Sequence, residues 1–439
     1  MRVQLTLRRQ FLAWVVAALL GLGTLLAASG AQAEQLSQNP SGEVAFRGNY
    51  WRDRNTRVLN PTADLRQTLP NGVTVGGHYL LDAITSASVA SGAAADMPFT
   101  ELRHEAGFNV AVPIRGKHSL AASYSYSTES DYWSHQAGLR ASFSLFQDNT
   151  ALMLGGDYGH NTVGKRLGPT GYLLMGVMQS AHVVALWTQV LTRRILMTTS
   201  YEASVLVGYQ NNPYRPAFVG GPGGLERRET ENLPNLRVRH VVALSWHILF
   251  PTERSVTPHV TLRPAIRGHF DSWGLKAFSP ELATSVPVGP TEFRLLLSFY
   301  DQYAASFYRA DGGGRAGYVA DTPSYGEGPV EWGTRIDGTG QSMPNYVYTS
   351  DVKLGRYSTY TWELMFKWRL SVLRSLGWGA VGERLSRTVL ELTGGMWFAD
   401  HAVGWQYGIP FVSGDPMAPA GCSNICGAGY ANLGLFIPL

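Results

Sequence analysis

The 439-residue chain is poor in cysteine, in charge and in long apolar runs. Cys422 and Cys426 are its two cysteines, so no disulfide framework organises it. Charged residues make up 15%, well under the roughly 25% of an average globular domain. One apolar run, Phe11 to Ala28, reaches the length of a membrane-crossing helix, so a protein built of several such helices is excluded. Catalytic signatures are missing as well. Neither Gly-x-Ser-x-Gly nor His-Glu-x-x-His occurs, and Gly312-Gly313-Gly314 lacks the Gly-Lys-Ser/Thr ending of a phosphate loop. No enzymatic activity and no cofactor are expected. With 36 Lys+Arg against 32 Asp+Glu, the net charge of +4 is too small and too dispersed for a nucleic-acid partner.

What the chain does contain begins with an export signal. Arg2, Arg8 and Arg9 precede the apolar run, and Ala31-Gln32-Ala33 supplies small residues where a signal peptidase cuts. Residues 1–33 are expected to be removed, the alternative being an uncleaved anchor. Arg8-Arg9-Gln10-Phe11-Leu12 also fits a twin-arginine signal, but that route carries folded cargo and suits a barrel poorly. The signal holds three Arg and no acid, so the mature chain has 33 basic against 32 acidic residues. Its charge is nearly balanced, and the basic character belongs to the signal.

The rest alternates with period two in segments of about ten residues. Tyr360, Trp362, Leu364, Phe366 and Trp368 share one parity, against Thr361, Glu363, Met365, Lys367 and Arg369 on the other. Leu120, Ala122, Tyr124 and Tyr126 oppose Ser119, Ser123, Ser125 and Ser127. Phe293, Leu295, Leu297 and Phe299 oppose Glu292, Arg294 and Ser298. Aromatics near the segment ends of the apolar face resemble the girdles of a membrane barrel, and no linker divides residues 34–439. The expected fold is all-β: a single transmembrane antiparallel β-barrel of about 18 strands, 16 being the other count. The count of 18 includes strands at 344–355 and 402–411. Long loops are expected near 162–179, 210–235, 304–343 and 412–427, all on one side, with a further gap near 87–100. Asn432 to Leu439 resembles the terminal signal read by the outer-membrane barrel-assembly machinery, with Leu439 in place of the usual aromatic.

Several motifs go further. Tyr79-Leu80-Leu81-Asp82, Arg103-His104-Glu105, Asn212-Pro213-Tyr214-Arg215, Asn235-Leu236-Arg237-Val238-Arg239-His240, Asp271-Ser272-Trp273-Gly274 and the stretch Tyr300 to Tyr308 together resemble an uncharacterised bacterial family, domain of unknown function 3570. Ser272 stands where that family's turn has a second acid. The resemblance implies an outer-membrane β-barrel of a Gram-negative bacterium and no established activity.

Parity also selects candidate site residues. In 236–249 the apolar set Val238, Val242, Leu244 and Trp246 turns Arg237, Arg239 and His247 inward. In 256–269 the inward set is His259, Arg263, Arg267 and His269. Consecutive strands would merge these into one basic stripe, which suits an anion-selective pore. A fixed network with Glu202, Glu281, Glu292 and Glu363 is the alternative. Tyr300, Gln302 and Tyr308 stand at the mouth of the longest loop, either to bind a ligand or to fix the loop to the wall. Asp271 to Gly274 reads as a capped turn with an interfacial Trp. Cys422 and Cys426 suit a disulfide after export, and no His follows to complete a metal site. These features point to a pore or transporter for small polar or anionic solutes, in contact with membrane lipid. An accessory barrel with a filled lumen, or an outer-membrane hydrolase, is the competing reading.

Overall fold

The computed structural model describes residues 41–438 apart from 53–55, 87–98, 115–116, 168–170, 221–225, 309–317, 321–329, 337–341, 348, 350, 377–382, 384 and 401–424. The expected signal at 1–33 lies outside the described residues. The strands, in chain order, are β1 (Ser41–Arg52), β2 (Thr56–Thr68), β3 (Thr74–Ser86), β4 (Phe99–Ile114), β5 (His118–Thr128), β6 (Tyr132–Leu145), β7 (Thr150–Leu167), β8 (Gly171–Thr192), β9 (Ile195–Gly208), β10 (Pro216–Gly220), β11 (Glu226–Thr230), β12 (Leu236–Pro251), β13 (His259–Asp271), β14 (Lys276–Val288), β15 (Thr291–Tyr303), β16 (Tyr318–Ala320), β17 (Val330–Ile336), β18 (Ser342–Val347), β19 (Tyr357–Arg369), β20 (Val389–Asp400) and β21 (Ile425–Pro438).

Sixteen of these, β1–β9, β12–β15 and β19–β21, form one closed antiparallel barrel. Closure is made by β21 pairing back onto β1, from Glu43 opposite Pro438 to Arg52 opposite Gly429. A closed sheet leaves no row of unpaired backbone groups, which is what a strand structure in lipid requires.

The two faces divide as the alternation dictates. Leu364 is 54% exposed, Leu297 47% and Phe108 59%, whereas Met365 and Ser285, of the other parity, are 9% and 3%. Glycines show which face is concave. A Cβ at Gly48, Gly77 or Gly268, on the apolar side, would meet nothing within 4 Å. At Gly76 or Gly138, on the polar side, it would collide with Asn109 or Asp157. The polar face is the crowded interior, and the apolar face is the lipid side.

The end carrying the chain termini has the short connections, among them 69–73, 146–149, 193–194 and 289–290. The connections between β9 and β12, β15 and β19, and β20 and β21 leave from the other end. The connections expected to be long at 210–235, 304–343 and 412–427 leave from one side, whereas the connection from Arg369 to Val389 is also long and leaves from the termini end beside 289–290. The count is 16, the other of the two expected. Of the region 344–355, the first residues belong to β18, which pairs with β17 in a two-stranded loop sheet, and Val352–Leu354 is a 3-10 turn. Residues 402–411 lie outside the described residues, and β20 pairs directly with β21 along its whole length. The loop expected at 162–179 is instead a tall hairpin, because β7 runs to Leu167 and β8 starts at Gly171. A register shift between Val163 and Gly164 interrupts the alternation that would have revealed it. The loop at 210–235 holds β10 and β11, the loop after β15 holds β16 to β18, and β21 begins at Ile425, inside the expected loop 412–427.

Leu364→Arg places a charge on the lipid face and should cost about 2–4 kcal/mol of folding stability in bilayers, while Thr361→Arg, in the lumen, should cost far less. Urea titration of the two variants folded into lipid vesicles measures both, and equal costs would contradict the register.

Candidate functional site

The inward residues of β12 and β13 do form one wall. Arg237, Arg239 and His247 have the parity opposite to exposed Val242 and Phe250, and His259, Arg263, Arg267 and His269 the parity opposite to exposed Ile266 and Phe270. Register sets Arg239 opposite Asp271 and Arg267 opposite Ala243, so both sets point into the lumen from neighbouring strands. Arg267 and Arg263 are four residues apart on β13, about 13 Å along the strand.

Their electrostatic environments differ. Arg237 is a structural ion pair: its Nε and Nη2 donate to Asp271 Oδ2 at 2.7 and 2.5 Å, and its guanidinium lies 4.2 Å from the Trp273 ring centroid. Arg239, Arg263 and Arg267 form no ion pair among the described residues, and the buried Nε atoms of Arg239 and Arg263 have no acceptor. The acids expected to neutralise them are engaged elsewhere or unpaired. Glu202 Oε2 lies 3.7 Å from His182, Glu363 accepts the Tyr430 hydroxyl at 2.9 Å, and Glu281 and Glu292 form no ion pair among the described residues. Arg294 of β15 joins the same wall, and its Nε also lacks an acceptor. It was missed as a site residue, although its parity, opposite to that of Leu295 and Leu297, marks it as lumenal.

The facing strands carry matched charges. Across β1–β4, Arg47 meets Asp64 at 2.7 Å, His78 meets Asp64 at 2.9 Å, and Arg103 meets Glu105 at 2.6 Å. Across β6–β8, Arg140 and His182 share Asp157 at 3.3 and 3.4 Å. The lumen thus has a neutralised arc and a basic arc. On the lipid side, an apolar groove of about 890 Å³ is lined chiefly by Tyr50, Leu295, Leu364, Phe366 and Leu433, and Arg294 and Met365 of the inward parity also border it.

Above β12–β15 the long loops build a cap. Asp271 Oδ1 accepts the backbone N–H of Trp273 and of Leu275, both at 3.0 Å, and Gly274 takes φ +85°. This is the capped turn expected from the motif. Trp273, however, is 2% exposed rather than interfacial. It packs edge-on against Phe307 and donates its indole N–H to the Leu236 carbonyl at 2.9 Å. Leu275, Phe307, Tyr308, Val347 and Leu354 complete this small core. Gln302, 2% exposed, donates to the carbonyls of Lys353 and Gly355 at 2.8 Å and accepts from the Tyr300 hydroxyl. Tyr300, Gln302 and Tyr308 therefore fix the loop to the wall. Arg215 binds Glu231 at 3.2 Å and Asp351 at 3.1 Å, joining the β9–β12 loop to the β15–β19 loop. Burial pushes the Glu231 carboxyl up, with Arg215 and the Asn212 amide opposing it. Cys426 lies in β21, opposite Ala399. Cys422 lies outside the described residues, as does any pairing between the two.

Glu101, Glu129 and Asp131 bring their carboxylates within 4.8 Å of one another beside the β5–β6 turn. Burial first, then repulsion from Glu101, pushes Glu129 up to about 7 and Asp131 up to about 6.

A family described as "Protein of unknown function (DUF3570)" matches residues 175–380, from β8 to the segment after β19. The resemblance carried by Asn212 to Arg215, Arg237 to His240, Asp271 to Gly274 and Tyr300 to Tyr308 is thereby shown over this region. The motifs at Tyr79 and Arg103 precede the matched residues. No curated protein matches the chain. Among solved structures, the chain is similar to a bacterial polysaccharide outer membrane secretin, with 8% identity, 91% of this chain and 98% of the other covered, and a TM-score of 0.44. It is also similar to OprD of Pseudomonas aeruginosa, with 8% identity, coverage of 94% and 98%, and a TM-score of 0.39. For CdiB from Acinetobacter baumannii the values are 10% identity, coverage of 91% and 60%, and a TM-score of 0.44.

Two outcomes follow from this geometry. Asp271→Asn leaves the buried Arg237 without its counter-charge and should cost about 3–5 kcal/mol, read as a lowered thermal midpoint of the cap tryptophan fluorescence. Glu129 has a raised folded pKa, so the folded state binds more protons than the unfolded one between about 4.5 and about 7. Its contribution is then unfavourable at high pH and vanishes at low pH. Hydrogen-exchange protection of the β5–β6 hairpin should fall as pH rises through that window, and Glu129→Gln should flatten the profile.

Proposed function

We propose that the protein is an outer-membrane channel of a Gram-negative bacterium that passes small polar solutes and favours anions. The observation that carries this reading is the basic arc, in which Arg239, Arg263, Arg267 and Arg294 point into the lumen without ion pairs among the described residues. Arginine keeps its charge at any physiological pH, so such an arc is a standing positive potential along the pore. The barrel's size supports the reading, since barrels of 16 strands leave room for an aqueous channel. The apolar outward band, including Trp362, Leu364 and Leu297, supplies the lipid contact. In this reading the protein performs no catalysis and needs no cofactor. Assembly through the barrel machinery, after removal of residues 1–33, is part of the same proposal.

Planar-bilayer recording of the purified protein under a KCl gradient is the test. Wild type should give a reversal potential on the anion side, and Arg263→Gln with Arg267→Gln should move it towards cations. A conducting pore whose reversal potential is the same in both would overturn the selectivity reading.

A further inference from the structure

Three donors without acceptors converge on one patch of the basic arc. Ser285 of β14 faces the lumen directly opposite Arg294 of β15, and on its other side it stands opposite Thr261, one inward position from Arg263 on β13. Arg263 itself stands opposite Ala283. Although they face the lumen, Ala283 and Ser285 are only 2% and 3% exposed. The Ser285 hydroxyl, the Arg263 Nε and the Arg294 Nε are each buried, and none has a hydrogen-bond partner.

A buried polar group without a partner costs free energy, and here two like charges stand beside a third such group. Arg263 and Arg294 carry like charges on the two strands that flank β14. Glu292 forms no ion pair with Arg263. The charge and the hydrogen-bonding capacity of the patch are thus both left over, and both have the same sign: they call for an acceptor-rich anion.

The geometry selects among anions. A carboxylate offers two oxygens in one plane, which a single guanidinium fork satisfies. Here the donors come from three adjacent strands, with arginines flanking a hydroxyl between them. That spread suits a group whose oxygens point out of a common plane. We propose that Arg263, Ser285 and Arg294 form a binding site for a tetrahedral oxyanion of the phosphate type within the lumen. This names a substrate class for the channel proposed above and rests on the same inward orientation of the wall.

The test uses the full barrel in detergent, with inorganic phosphate as the probe in equilibrium dialysis. Wild type should bind phosphate saturably, and sulfate should displace it at far lower concentration than chloride does. Ser285→Ala keeps both charges and removes one hydrogen bond to a charged ligand, so it should weaken binding roughly tenfold. Arg263→Gln with Arg294→Gln should abolish binding. No saturable binding by wild type, displacement by chloride as readily as by sulfate, or unchanged affinity in Ser285→Ala would each overturn the site. Dialysis is independent of conduction: an anion-selective pore that binds no phosphate keeps the channel and loses the site, and phosphate binding without conductance does the reverse.

Discussion

Every feature of this protein depends on the requirement that backbone N–H and C=O groups in hydrocarbon find partners within the protein. A sheet meets that requirement only by closing, and closing forces each strand to divide its side chains between lipid and lumen. The residues opposite Leu295, Leu364 and Ile266 in parity have no choice but to line the interior. The basic arc is a product of this division: with Val242 and Phe250 committed to lipid, Arg239 must point inward.

The lumen that results is not uniformly charged. Cross-strand pairs such as Arg47–Asp64 and Arg140–Asp157 satisfy one arc internally, while Arg239, Arg263, Arg267 and Arg294 form no ion pair among the described residues. On the channel reading, that asymmetry adds a field across the lumen to the positive potential along the wall. Arg237 shows how narrow the distinction is. Two residues from Arg239 on the same strand, it is taken out of the arc by Asp271 and becomes part of the foundation of the cap.

Strand faces were legible because period-two alternation is a direct readout of which environment each side chain meets. That sufficed to place Arg237, Arg239, His247, His259, Arg263, Arg267 and His269 on one wall. The alternation failed where pairing partners, rather than local pattern, decide the outcome. The barrel strand expected at 344–355 falls partly in β18, which pairs with β17 inside a loop, and the β7–β8 hairpin was hidden by a register shift. Trp273 looks interfacial from its turn motif, and its burial depends on Phe307 and Val347, which are remote in sequence. Asp271 was read as a turn cap, and its second role, as partner to Arg237, needs the β12–β13 register. The unpartnered Ser285 is invisible without the β13–β14–β15 register and its burial.

The cap clamp has a consequence for the order of events in assembly. Thr349 donates to Glu231 across 118 residues of chain, a span that contains β12 to β15. Bringing such distant groups together in an unfolded chain carries a loop-closure penalty. Once the intervening strands have paired, the two loops emerge from the same rim and most of that penalty has been met. The cap is therefore a late structure. The cap takes shape only after the wall beneath it is complete, so an intact cap certifies a finished arc of barrel.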